Sequence, residues 1–177
     1  NEKFAVYPYL HDRIHSKGQL AFLAACGVKT ILLSESSTTT FSYFSSYQYN
    51  AHAFTVELGK VRPFGQNDMR RFEDAKQAIT QLITQTEYAP TVDMDDLDIY
   101  RVNQVINRNE EQFTLHFDDD TPNFTDYPKG TVLASEPGKE YIAEQDGEAI
   151  VFPNAKVAIG QRALLTVVPT TLDKLDV

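Results

Sequence analysis

The sequence predicts an α/β unit followed by an all-β unit. Two observations carry this: an apolar strand, helix, strand succession in the first third, and a change near residue 90 to short alternating runs separated by turn residues. With 177 residues and 42% hydrophobic content, the chain is long enough for one sizeable core or two small ones.

Phe4-Ala5-Val6-Tyr7 reads as a strand stopped by Pro8. Ser16 is placed to cap a helix running to about Ala25 and ending at Gly27, the residue type that tolerates the left-handed turn after a helix. Thr30-Ile31-Leu32-Leu33 is a second apolar strand, which completes a βαβ pattern and implies a largely parallel sheet. Ser34 to Ser46 is rich in hydroxyls and aromatics and suits a loop leading into a short helix. Ala53-Phe54-Thr55-Val56 has the content of a buried strand, with Glu57 at its end. After Pro63 and Gly65, Asn67 or Asp68 can cap a helix in which Met69, Phe72, Ala75, Ile79, Leu82 and Ile83 recur at spacings of three and four. That single stripe is expected to pack against a sheet.

Proline and charge break the pattern from Tyr88 to Asp96, so a boundary is expected near residue 90, between an α/β part (1–90) and a β part (91–177). Five strands are expected beyond it: Ile99–Val102, Phe113–Phe117, Thr131–Ala134, Ala149–Phe152 and Leu164–Val168. Turn signals such as Lys129-Gly130, Pro137-Gly138 and Asp146-Gly147 separate them, the pattern of a small barrel or sandwich.

The net charge of −9 is uneven: residues 1–66 hold six cations against four anions, +2, which leaves −11 on the rest. Acidic runs such as Asp118-Asp119-Asp120 would repel a phosphate backbone, which argues against nucleic acid. No apolar stretch approaches the ~18 residues that span a bilayer, and no signal-peptide pattern is present, so no membrane partner is expected and a cytoplasmic protein fits. The chain opens on Asn1 and runs almost at once into an apolar segment, as a trimmed piece of a longer protein would. The lone Cys26 lies in an apolar run and is expected to be a buried small hydrophobe.

His11 and His15 have the i, i+4 spacing that can place two imidazoles on one metal. Pro8 and Gly18 disfavour a helix there, so a surface pair is expected instead. His52 and His116 read as structural strand residues. There is no CxxC, no Gly-rich phosphate loop and no GxSxG elbow, which removes zinc ribbons, P-loop enzymes and the commonest serine hydrolases. Glu57 is the remaining candidate, a carboxylate at a strand end followed at once by Gly59 and Lys60. Two readings stay open for it from the residues alone: a strand-end ion pair with Lys60 or Arg62, or a functional carboxylate.

Thr55-Val56-Glu57-Leu58-Gly59-Lys60, followed by Pro63-Phe64-Gly65-Gln66-Asn67-Asp68, resembles the segment that carries the catalytic glutamate in the succinylglutamate desuccinylase/aspartoacylase family of zinc carboxypeptidase-like hydrolases. Further matches lie at Thr40–Ser45, Asn123-Phe124, Lys129–Ala134 and Phe152-Pro153-Asn154, so the resemblance covers nearly the whole chain. It implies the C-terminal portion of such an enzyme: the last part of the catalytic α/β domain plus the appended β domain. It also implies one zinc per intact enzyme, held by an HxxE motif and a further His, none of which is in this chain. A zinc site is therefore not expected from these residues, and the chain alone is expected to hydrolyse nothing.

For the intact enzyme the resemblance implies hydrolysis of N-succinyl-L-glutamate to succinate and glutamate in arginine catabolism. Zinc would acidify and position water, and Glu57 would carry the proton to the departing amine. The substrate is a small anionic N-acyl amino acid; the oligomeric state is not readable. Aspartoacylases hold substrate carboxylates with a tyrosine and an arginine before this glutamate. Counting back from Glu57, Tyr43 falls on the tyrosine, whereas Tyr47 occupies the arginine's position. Two other readings stay open: a deacylase of another N-acyl amino acid such as N-acetylaspartate, and a non-catalytic binding or assembly module.

Overall fold

A computed structural model describes residues 3–60 and 62–172. The described residues form two compact units, those up to 100 together with 170–172, and residues 101–169.

In the first unit, β1 (Phe4–Pro8), α1 (Lys17–Ala25) and β2 (Thr30–Ser34) form the expected βαβ unit, with β1 and β2 parallel in the register Phe4↔Thr30 to Pro8↔Ser34. Ser16 is the residue before α1, but its side chain makes no capping hydrogen bond; the other end stops as expected at Gly27, whose φ is +71°. α2 (Phe41–Tyr49) follows the hydroxyl-rich loop and is capped by Thr40, whose side chain accepts from the Tyr43 amide. β3 (Thr55–Glu57) runs antiparallel to β1, with Val6↔Thr55, Ala5↔Val56 and Phe4↔Glu57 paired.

The sheet order in this unit is β3-β1-β2, followed by the first residues of β4 (Asp98–Asn107). Its core gathers Tyr7, Leu20, Leu23, Val28, Ile31 and Leu33, with Cys26 buried among them as expected. Burial pushes the Cys26 thiol up, as suits an inert apolar site.

Four expectations need correction here. The Glu57 strand is shorter than Ala53–Val56 implied and is a half-exposed edge, because Pro8 offers no N–H with which to continue the β1–β3 ladder. The helix after Pro63 starts as a 3₁₀ turn, Met69–Phe72, capped by Asp68, and becomes α-helical only in α3 (Glu73–Thr84). Its apolar stripe is not covered: Ala75 and Ala78 reach the core, whereas Ile79, Leu82 and Ile83 are 48%, 53% and 76% exposed. Periodicity specifies which residues share a face, and the core reaches only the small ones on it. His52 sits in the exposed loop before β3 rather than in a strand.

The second unit holds β5 (Thr114–Leu115), β6 (Asp126–Tyr127), β7 (Val132–Glu136), β8 (Lys139–Ile142), β9 (Glu148–Val151) and β10 (Arg162–Pro169). One sheet has the order β4-β10-β9-β6 and the other β5-β7-β8. Ile106, Leu133, Ile150 and Leu164 are completely or almost completely buried in their shared core, which is the small all-β unit that the alternating runs imply. β6 and β8 were not legible as strands: one is two residues long, and the other carries Lys139 and Glu140 on exposed positions. His116 lies one residue beyond β5, exposed, with its Nε2 2.7 Å from the Ser135 hydroxyl.

Candidate active site

Alternation along β3 decides what Glu57 faces. Phe54 and Val56 pack against the core of the first unit, so Thr55 and Glu57 project from the opposite face of the strand. There the Thr55 hydroxyl meets the Ser42 hydroxyl at 3.0 Å, which ties the first turn of α2 to the strand two residues before Glu57. Glu57 is partly buried, and among the described residues its carboxylate takes part in no hydrogen bond or ion pair. The strand-end ion pair with Lys60 or Arg62 is therefore not formed.

Around Ser42 the hydroxyls are coupled. Thr38 and Thr40 are 2.8 Å apart, and the Tyr43 and Ser37 hydroxyls 2.9 Å apart. Tyr43 stacks on Tyr47 with ring centroids at 5.7 Å and an interplanar angle of 9°. Of these, Ser37, Thr38, Tyr43 and Tyr47 border an open recess of about 620 Å³ that Glu57 itself does not line. Arg13 fastens the helix from behind, its guanidinium donating to the Ser46 carbonyl at 2.9 Å and the Ser46 hydroxyl at 2.7 Å. On the far side of Glu57 in sequence, Lys60, Arg62 and Arg71 border a second recess of about 350 Å³, together with Asp68, which is bridged to Arg70 at 2.9 Å.

The two histidines spaced for a metal do not share one. His15 is buried, not on the surface as expected; its Nε2 donates to the Leu10 carbonyl at 3.1 Å and its Nδ1 is 3.1 Å from the Tyr7 hydroxyl. His11 is exposed, 3.4 Å from Glu35. Both imidazoles instead pack on Tyr9, one edge-on at 4.8 Å and the other stacked at 4.6 Å. Among the described residues, no group of three His, Cys, Asp or Glu side chains is placed to hold a metal ion. The donor set here therefore does not fit zinc.

Sequence reasoning passed over Ser42, Thr55 and Gln19. Gln19 is buried in α1, where its Oε1 accepts from the Tyr7 hydroxyl at 3.2 Å and its Nε2 donates to the Ala53 carbonyl at 3.2 Å. The available signal was a single amide next to the apolar run that begins at Leu20. A buried polar side chain at such a position needs partners, and those partners mark a structural or functional joint.

Residues 1–83 match the model of the succinylglutamate desuccinylase/aspartoacylase catalytic domain, and residues 95–170 that of the AstE/AspA barrel-sandwich hybrid domain. A succinylglutamate desuccinylase of Pseudoalteromonas atlantica is 62% identical over 98% of this chain and 50% of its own length. One of Idiomarina loihiensis is 53% identical over 99% of this chain and 51% of its own length. Among solved structures, a succinylglutamate desuccinylase of Vibrio cholerae superimposes with a TM-score of 0.84 at 35% identity, over 98% of this chain and 51% of that one. The enzyme from Chromobacterium violaceum gives 0.81 at 39% identity, with the same coverages, 98% and 51%. The chain thus spans about half the length of the relatives it matches. Among the described residues, no helix is long and apolar enough to cross a membrane.

Proposed function

The chain belongs to the succinylglutamate desuccinylase/aspartoacylase family, and on that footing we propose that it is the C-terminal half of a cytoplasmic amide hydrolase that converts N-succinyl-L-glutamate and water to succinate and L-glutamate in arginine catabolism. The names of its relatives support the reaction. Zinc dependence is part of the proposal, with the ion's ligands upstream of this chain as the family resemblance implies; among the described residues no three donors are placed to hold it.

The observation that carries the proposal is the carboxylate of Glu57, held partly buried at the end of β3 and without a hydrogen-bond or ion-pair partner among the described residues. Amide hydrolysis needs a group that first accepts and then donates a proton. Water attacking the carbonyl must lose one proton, and the departing nitrogen must gain one before the C–N bond breaks. A carboxylate with both oxygens free can do both in turn, provided it lies within about 3 Å of the attacking water. An ion-paired carboxylate would have its lone pairs already committed. Product charge balances: the acyl carbon leaves as the second carboxylate of succinate and the nitrogen as the ammonium of glutamate.

The substrate carries three carboxylates and needs cationic or hydroxylic partners. Lys60 and Arg62 supply positive charge just after Glu57, and the Tyr43 hydroxyl, held by Ser37, is the hydroxylic candidate from the α2 side.

Glu57→Gln in the full-length enzyme tests this. The amide cannot accept the water's proton, so kcat should fall at least about 100-fold with the fold intact and the zinc content unchanged. Near-parental hydrolysis by that variant would rule out Glu57 as the base.

A further inference from the structure

The strand that carries Glu57 has only three residue pairs with which to hold its register on β1. The cause lies at Pro8. The Tyr9 amide donates to the Ser34 carbonyl on β2, at 3.0 Å. Backbone groups alternate sides along a strand, so the amides of Phe4 and Val6 face β3, and so does the imide nitrogen of Pro8. Continuing the register one pair beyond Val6↔Thr55 and one more brings Ala53 opposite Pro8. An ordinary residue at position 8 would donate to the Ala53 carbonyl. Proline has no hydrogen to donate.

The donor comes from elsewhere: the Gln19 side-chain amide, 3.2 Å from the Ala53 carbonyl. The amide is itself held by the Tyr7 hydroxyl on β1, which donates to its other end at 3.2 Å, and the side chain is 5% exposed. Gln19 therefore replaces the missing ladder bond and ties the entry of β3 to both β1 and α1.

We propose that Gln19 is a positioning residue for Glu57, holding the register of β3 so that Glu57 stays on the face of the strand shared with Thr55 and α2. A slip of one residue would turn Glu57 to the face that Val56 now buries, because side chains alternate with a period of two. The inference rests on the reading of Glu57 as the base only for its catalytic consequence; the register claim stands on geometry alone.

Three variants of the full-length enzyme test it. Gln19→Met keeps the side chain's length and removes the donor. It should lower kcat about tenfold with KM within about twofold, as a misplaced base does, and should speed hydrogen–deuterium exchange at the Thr55 amide. Pro8→Ala restores the backbone donor; its new amide should be protected from exchange, and combining it with Gln19→Met should recover most of the lost kcat. A merely structural role for Gln19 would not be repaired by an amide at position 8. Parental kcat in folded Gln19→Met, or no recovery in the double variant, overturns the proposal. So does an unprotected backbone amide at position 8 in the Pro8→Ala variant, which tests the geometry even if Gln19→Met does not fold. Exchange needs no turnover, so faster Thr55 exchange in Gln19→Met beside an active Glu57→Gln enzyme would refute the base assignment and not the register.

Discussion

Glu148 is a fully buried carboxylate at the start of β9, and replacing it by glutamine tests whether its charge or only its shape matters. One oxygen accepts from the Asn103 side chain at 3.0 Å and the Gln104 side chain at 2.7 Å; the other accepts from the Glu144 backbone amide at 2.6 Å. Glutamine is nearly isosteric but turns one of these acceptors into a donor. If its NH₂ faces Glu144, a backbone amide meets a second donor; if it faces Asn103 and Gln104, two side-chain donors do. Either way at least one part-buried donor loses its acceptor, and the charge-assisted bonds become neutral. The expected cost is about 2 kcal/mol at pH 7, which for a chain of this length lowers Tm by roughly 4–8 °C.

Burial by itself pushes the Glu148 carboxyl up, but hydrogen bonds from Thr166, Asn103, Gln104 and the Glu144 amide outweigh it and hold the carboxyl below the ordinary range. A depressed folded-state pKa stabilises above the unfolded pKa and ceases to do so as pH falls through the folded one. The gap between parent and variant should therefore be full at pH 7 and close below about pH 4. Calorimetric unfolding from pH 7 to pH 3 measures it. A difference under about 0.5 kcal/mol at pH 7, the range of an ordinary surface change, would refute the account.

Two further outcomes follow from local geometry. Gly27→Ala places a Cβ on a residue at φ +71°, 2.7 Å from the Asp74 carboxylate and 2.9 Å from the Lys3 ammonium. The side chains can yield but the backbone cannot, so a loss of about 1–2 kcal/mol is expected, read as a lower urea midpoint with unchanged slope. Glu136 accepts from the Asn109 side chain, from the Tyr141 hydroxyl at 2.7 Å and from the amides of Asn109 and Glu110, which together hold its carboxyl down to about 2. Carbonyl-carbon NMR should find its titration midpoint near 2, with the stability it contributes lost as pH falls from the ordinary glutamate range toward that value. A midpoint above about 4, the ordinary glutamate range, would show that these donors are not engaged in solution.

Much of the first unit was legible because its signals are local. An apolar run ending at Pro8, an apolar helix ending at Gly27 and a second apolar run at Thr30 determine β1, α1 and β2 from neighbours in the chain. Glu57 was legible in the same way, as one residue in a contiguous block. Its surroundings were not. Which strand β3 joins, in which direction and at what register depends on residues far away along the chain, so only the folded sheet reveals that Glu57 shares a face with Thr55 and Ser42.

The misread residues share that cause. His15 looked like a surface residue because its own segment is polar, yet Tyr7, Tyr9 and Leu10 enclose it. The stripe on α3 looked like a packed face because periodicity reports which side chains align, not what lies across from them. The sequence by itself determined which residues are apolar, where segments stop and which carboxylate stands at a strand end, since bonded neighbours set these. Tertiary structure alone decided which groups are buried, which are paired and which, like the carboxylate of Glu57, have no partner among the described residues, because those properties belong to contacts between segments distant along the chain.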